Sequence, residues 1–197
     1  MAETFLHNID TDKVSTLMNE TQERVKYFEN IVSTIVSDYT RDLDNVMQNV
    51  RKTVVDIENP SLNSVEKAFL ELSNQLYYTQ EKAEKLNLYD AISKSAYKEV
   101  YNKAYLENQI KDAEKKNKTT VAENQAVAET ASIYESTVND LYSKSYKTIK
   151  LKIDAAQTMV STLSKIMSRR IQEYSSDKAY TASGLRILNE VTGKDIF

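Results

Sequence analysis

The sequence has no cysteine and no tryptophan, one histidine, one proline and two glycines in 197 residues. Each scarcity excludes something. Without cysteine there is neither a disulfide framework nor a thiolate metal site. A compact fold with many tight turns draws on glycine and proline for backbone angles that other residues resist. Here Pro60 stands alone, and Gly184 and Gly193 both fall near the end, so the chain reads as mostly helix. His7 sits in a polar N-terminal stretch and reads as a solvated tail residue. Any nucleophile–histidine arrangement would have to use it, and no Gly-x-Gly phosphate loop exists. The acidic pairs Asp38/Asp42 and Glu81/Glu84 lie one helical turn apart beside Arg41 and Lys85, so surface ion pairs account for them. No Glu-x-x-His di-metal signature occurs. The expectation is a non-enzyme with no catalytic residues, no metal and no cofactor.

Long hydrophobic runs are missing too. None approaches the ~20 residues that a membrane span requires, and no charged-then-apolar leader opens the sequence. A membrane partner is therefore not expected, and the sequons at 19–21 and 117–119 carry no weight. A helical pore-forming toxin would need an apolar hairpin that is absent.

What the sequence does have is 41 % hydrophobic and 28 % charged residues, set out in helical seams. The first helix is expected from near Asp12 to about Glu58, on the stripe Val14, Met18, Thr21, Val25, Phe28, Val32, Ile35, Tyr39, Leu43, Val46, Val50, Val54, Ile57. Its steps alternate four and three as far as Tyr39, a heptad seam. Beyond Tyr39 a four-four-three run gives an eleven-residue period that straightens or reverses the supercoil. Asn59-Pro60 ends the helix, because the residue before proline avoids the helical region. Asn63 with Glu66 offers a capping box for a second helix running to about Lys115. Its stripe is Val65, Phe69, Leu72, Leu76, Thr79, Ala83, Leu86, then Tyr89, Ile92, Ala96, Val100 and Ala104. The polar run 115–120 and a second box, Thr120 with Glu123, place a tight turn at 116–119.

The third helix is expected from Thr120 to about Tyr174, on Val121, Gln125, Ala128, Ala131, Val138, Tyr142, Ser145, Ile149, Ala156, Val160, Leu163, Met167 and Tyr174. The run Ser175-Ser176-Asp177 should interrupt it before a short helix at 178–191. Short connections make successive helices antiparallel. The expected fold is all-α: an elongated, coiled-coil-like antiparallel bundle of three long helices plus a short C-terminal helix. Its segments are 1–60, 61–176 and 177–197. So thin a seam, with Thr21, Thr79, Gln125 and Ser145 in it, points to a homo-oligomer.

Charge is unevenly spread. Residues 1–60 hold eleven acids against six bases, while residues 141–170 hold seven bases (Lys144, Lys147, Lys150, Lys152, Lys165, Arg169, Arg170) against Asp154 alone. Such an excess can attract phosphate. It can equally be a solvated helix face, or a partner for the acidic first helix of a neighbouring subunit. The same ambiguity surrounds YKEVYNKAYLENQ (97–109), with Lys98, Lys103 and Tyr105. Folded back about Asn117, the second helix sets Tyr101 opposite Ile133 and Tyr134, Tyr97 opposite Thr137, and Tyr89 opposite Ser145 and Tyr146, as seam residues would pack. Tyr77 and Tyr78, adjacent in sequence, cannot both face inward, so one of them is expected to be exposed. Exposed aromatics could stack on bases at ~1–3 kcal/mol each.

The stretch 77–174 resembles the UvsY-like phage recombination mediators. The resemblance lies in SAYKEVYNKAYLE (95–107), the turn KNKTTVAENQAVAE (116–129) and the close KIDAAQTMVSTLSKIMSRRIQEY (152–174). It implies a single-stranded-DNA-binding accessory protein acting as a ring-like oligomer in the bacterial host cytoplasm, with a recombinase or single-strand-binding protein as partner. By position, Lys98 and Lys103 match the basic residues before the turn, and Lys144, Lys147, Lys165, Arg169 and Arg170 match the basic side after it. The acidic first helix departs from that pattern. The alternative is a structural or adaptor coiled coil, such as a virion component or scaffold.

Overall fold

A computed structural model describes residues 10–114 and 120–192, with side chains described for 10–111 and 120–176. His7, the expected turn at 116–119 and Gly193 lie outside these residues. Among the described residues there is no strand, and the elements are α1 (Thr11–Val50), a π-helical turn (Arg51–Val55), α2 (Leu62–Glu114), α3 (Val121–Ala131) and α4 (Ile133–Thr192). The all-α class expected from the shortage of glycine and proline holds.

The helix ends follow local chemistry. Asp10 starts α1, its carboxylate accepting the backbone N–H groups of Asp12 and Lys13 at 3.2 Å each. The helix gives way at Arg51 rather than running to Glu58. There the N–H of Asp56 reaches back five residues to the Arg51 carbonyl at 2.8 Å, the wider π spacing. Val54 follows Val50 into the core across this turn. The cap of α2 is Ser61, whose hydroxyl accepts the Ser64 N–H at 3.1 Å, and not the expected Asn63. With Pro60 just before it, Ser61 is the first residue able to cap. The Thr120–Glu123 box forms as expected, with Glu123 N–H to the Thr120 hydroxyl at 3.3 Å and Thr120 N–H to the Glu123 carboxylate at 2.7 Å.

Two breaks differ from the sequence pattern. The third helix is divided at Ser132, which lies outside helical geometry at φ −104°, ψ 14°. Its hydroxyl donates to the Ala128 carbonyl at 2.8 Å, the kind of back-bond that bends a helix. Conversely, the expected interruption at 175–177 does not occur, and α4 continues to Thr192. Ser175 bonds its hydroxyl to the Ile171 carbonyl at 2.8 Å without leaving the helix. With no proline to clash, Ser-Ser-Asp costs only a few tenths of a kcal/mol per residue.

The chain packs as two units, residues 41–80 with 152–192 and residues 10–40 with 81–151. The first has an aliphatic core of Leu43, Val50, Val54, Val65, Leu72, Leu76, Ile153, Ala156 and Leu163. Burying each large side chain is worth about 1.5–3 kcal/mol. Within it, Lys152 Nζ meets Asp44 at 2.5 Å and Arg170 hydrogen-bonds Asn59. The ascending order of these pairs sets the α1 end alongside α4 in parallel.

The second unit has a more polar interior. Val32, Val36, Ala83, Leu86, Ala128 and Ile149 are joined there by buried Thr40, Ser93, Asn124, Ser132 and Ser145. Three of these hydroxyls satisfy themselves, since Thr40, Ser132 and Ser145 each donate to the carbonyl four residues earlier at 2.7–2.9 Å. A hydroxyl bonded to its own helix can line a seam at little desolvation cost. Here α2 lies antiparallel to α3 and α4. Ser93 meets Asn139 at 3.5 Å, Tyr89 stacks on Tyr142 at 5.6 Å, and Asn108 bonds Asn124 at 2.6 Å.

In this unit the observed seams depart from the apolar stripes. After Leu86 the buried line of α2 passes through half-buried Asp90, buried Ser93 and half-buried Tyr97, leaving Tyr89, Ile92 and Ala96 exposed. In α3 and α4 it takes Asn124, Ala128 and Ser132, while Val121, Gln125, Ala131 and Val138 are exposed. A continuous helix cannot jump faces, so the heptad register set by Leu72 to Leu86 carries on into polar residues. The α1 stripe is also open: every residue from 11 to 27 is exposed, and burial begins only at Phe28.

Candidate binding faces

The sequence singled out eight residues for nucleic acid, and they divide between the units. In the unit of residues 41–80 and 152–192, Lys165 is exposed. The arginines there are already engaged. Arg169 Nε donates to Glu173 at 3.0 Å, and Arg170 holds Asn59 and lies 3.8 Å from Glu173. Lys152, which adds to the basic excess, is bound to Asp44. Much of the apparent charge of 152–170 is therefore answered locally.

The other unit holds Lys98, Lys103 and Tyr105 on α2 and Lys144 and Lys147 on α4. The four lysines are exposed and form no ion pair among the described residues, while Tyr105 is half-buried. The pairs Ser93/Asn139 and Asn108/Asn124 set the register: α2 and α4 residues whose numbers total 232 are level. Lys98 is thus level with Tyr134, the most open of the described tyrosines at 80 % exposure. Lys144 stands ten residues further along α4, about 15 Å from that level. The two lysine pairs therefore form separate sites.

Lys144 and Lys147 border a groove of 850 Å³ between α1 and α4. Its α1 side carries an apolar strip of Val25, half-buried Phe28 and buried Val32, alongside Thr21 and Ser33. Exposed Arg24 joins the lysines, and Glu29 and Asp140 share the lining. At Thr21 the groove meets a second hollow of 350 Å³ along Val14, Leu17 and Met18. One apolar face thus runs from the open start of α1 into a cleft edged with cations. Sequence reasoning missed Arg24 and Tyr134. Arg24 flanks the heptad stripe and was legible as such, whereas the exposure of Tyr134 follows only from the polar register of α3 and α4.

The described tyrosines divide between half-buried and exposed positions. Tyr97 and Tyr101 are half-buried with ring centres 6.1 Å apart, and Tyr89 lies on Tyr142, not beside Ser145. Tyr77 and Tyr78 are both exposed, edge to face at 5.7 Å. Tyr39 packs near the Tyr89–Tyr142 stack. Burial raises its phenol above the ordinary tyrosine value, and those two rings push it the same way. Among the described residues no group of three or more His, Cys, Asp or Glu is placed to hold a metal ion, and no helix is long and apolar enough to cross a membrane. Compared with known proteins, the chain matches no family model, no curated protein and no solved structure.

Proposed function

We propose that the chain is a non-enzymatic helical interaction protein, a structural or adaptor coiled coil such as a virion component or scaffold, built as an elongated antiparallel bundle of three long helices. The observation that carries this reading is the groove beside Lys144 and Lys147. An apolar strip of Val25, Phe28 and Val32 with exposed cations at its edge suits an acidic amphipathic helix. A phosphodiester backbone would leave that apolar surface in water. The test is sedimentation velocity of the full chain across salt concentrations. Assembly that shifts with salt in the absence of nucleic acid supports the reading, and a monomer at every salt concentration refutes it.

A second reading rests on Lys98, Lys103 and Tyr134. Two exposed lysines with no ion pair among the described residues, Lys98 being level with the open Tyr134 ring, offer phosphate contacts and a stacking platform. This is the chemistry that the likeness to UvsY-like mediators implies, with a single-stranded-DNA-binding oligomer loading a recombinase. Fluorescence anisotropy with labelled single- and double-stranded oligonucleotides separates the two. Binding that favours single strands and is lost in K98A/K103A or Y134A supports the mediator reading, and no binding at low salt removes it.

A further inference from the structure

We propose that the groove is filled by α1 of a second copy, the two α1 helices pairing antiparallel about a two-fold axis near residue 23. The inference rests on the assembly reading and names its occupant. A helix whose residues 11–27 are all exposed lacks the tertiary packing that supplies most helical stability. Yet this segment carries a strict stripe of Val14, Met18, Thr21, Val25 and Phe28, open at 42 % for Val14, 57 % for Met18 and 47 % for Val25. Such a face is built to be covered.

The stripe is complementary to itself. Val14, Thr21 and Phe28 occupy one heptad core position, Met18 and Val25 the other. Antiparallel pairing with residue numbers totalling 46 sets Met18 against Phe28 of the second copy and Thr21 against its Val25. The two-fold repeats both layers, as an isologous interface requires. Val14 then reaches the Val32 end of the groove.

Charge agrees with this direction. Residues 10–23 hold Asp10, Asp12, Glu20 and Glu23 against Lys13, a net of −3. The groove lining holds Arg24, Lys144 and Lys147 against Glu29 and Asp140, a net of +1. In the antiparallel register Asp10 and Asp12 of the second copy are level with residues 34–36, just past the Val32–Ser33 end of the groove that Lys144 and Lys147 line. A parallel pair would instead stack each acidic helix start on the other.

The absence of native cysteine makes the test clean. Met18→Cys and Phe28→Cys chains are oxidised separately and mixed. Residue 18 of one copy lies ten residues along the axis from residue 18 of the other, about 15 Å, beyond the ~7 Å Cα separation that a disulfide bridges. The expected result is a covalent dimer only in the mixture. In parallel, Val14→Glu/Met18→Glu in the full chain should dissociate the assembly by at least tenfold in Kd while helicity of the rest persists. Crosslinking of either single variant with itself would overturn the antiparallel register while leaving the assembly reading standing. A wild-type chain that sediments as a monomer would overturn both. If Phe28→Cys fails to fold, the sedimentation of the Glu variant decides, and an unchanged assembly refutes the pairing.

Discussion

The departure of the α2 seam from its apolar stripe after Leu86 makes a quantitative prediction. Leu86 is 1 % exposed and Ile92 is 65 % exposed, although sequence periodicity places both in the seam. Leu86→Ala removes a fully buried side chain. It loses a transfer free energy of about 1.5–3 kcal/mol and leaves a cavity, so the total cost should be about 2–5 kcal/mol. Ile92 has only about a third of its surface covered. The same transfer scale then gives roughly 0.5–1 kcal/mol, with no cavity to add. For a chain of this size 1 kcal/mol moves the melting temperature by roughly 2–4 °C. Thermal unfolding followed by circular dichroism at one fixed concentration should show Leu86→Ala melting some 4–20 °C lower. Ile92→Ala should stay within a few degrees of wild type. Equal losses at the two positions would show that the seam follows the apolar stripe, and the polar interior built on Ser93, Asn124 and Ser132 would be wrong.

Three further outcomes follow from individual groups. Removing the α3 cap with Thr120→Ala should cost about 0.5–2 kcal/mol of stability, read by chemical denaturation. Bonds from Thr120 hold the Glu123 carboxyl below its ordinary value of 4.5. Its contribution is therefore complete above that value and fades as pH falls through the lower, folded one, so Glu123→Gln should flatten the acid limb of a stability–pH profile. The Tyr39 phenol is raised by burial, which favours its neutral form in the fold. Stability from this group is complete below the ordinary value of about 10 and declines as pH rises through the folded value. Tyr39→Phe should remove that alkaline decline, and an unchanged profile would place the decline elsewhere.

How much of this could be read from the sequence depended on where local chemistry and packing agreed. Two glycines and one proline announced an all-α chain, and Thr120 with Glu123 announced the start of α3, because a capping box is complete within four residues. The aliphatic core from Leu43 to Leu76 and at Ala156 and Leu163 was legible too, since each stripe there has one candidate face, whereas buried Ile153 was left out of the stripe. Beyond Leu86 two faces compete. The apolar one, Tyr89–Ile92–Ala96, looks like a seam, but helix geometry carries the register on to Asp90, Ser93 and Tyr97. The hydroxyls that make this possible bond their own helix, so pairwise pattern reasoning does not see them. The break at Ser132 was hidden for the same reason. Among the candidate site residues, the sequence could count the cations but could not tell Lys144 and Lys147, which form no ion pair among the described residues, from Lys152, Arg169 and Arg170, which Asp44, Asn59 and Glu173 answer.

The open stripe of α1 bears most weight, and amide hydrogen exchange of residues 11–27 addresses it directly. At protein concentrations where the chain assembles, a covered α1 should show amides in this stretch exchanging at least tenfold more slowly than in dilute solution, with protection lost in Val14→Glu/Met18→Glu. Rapid exchange across 11–27 at every concentration would mean that nothing covers this helix, and would contradict assembly through the groove.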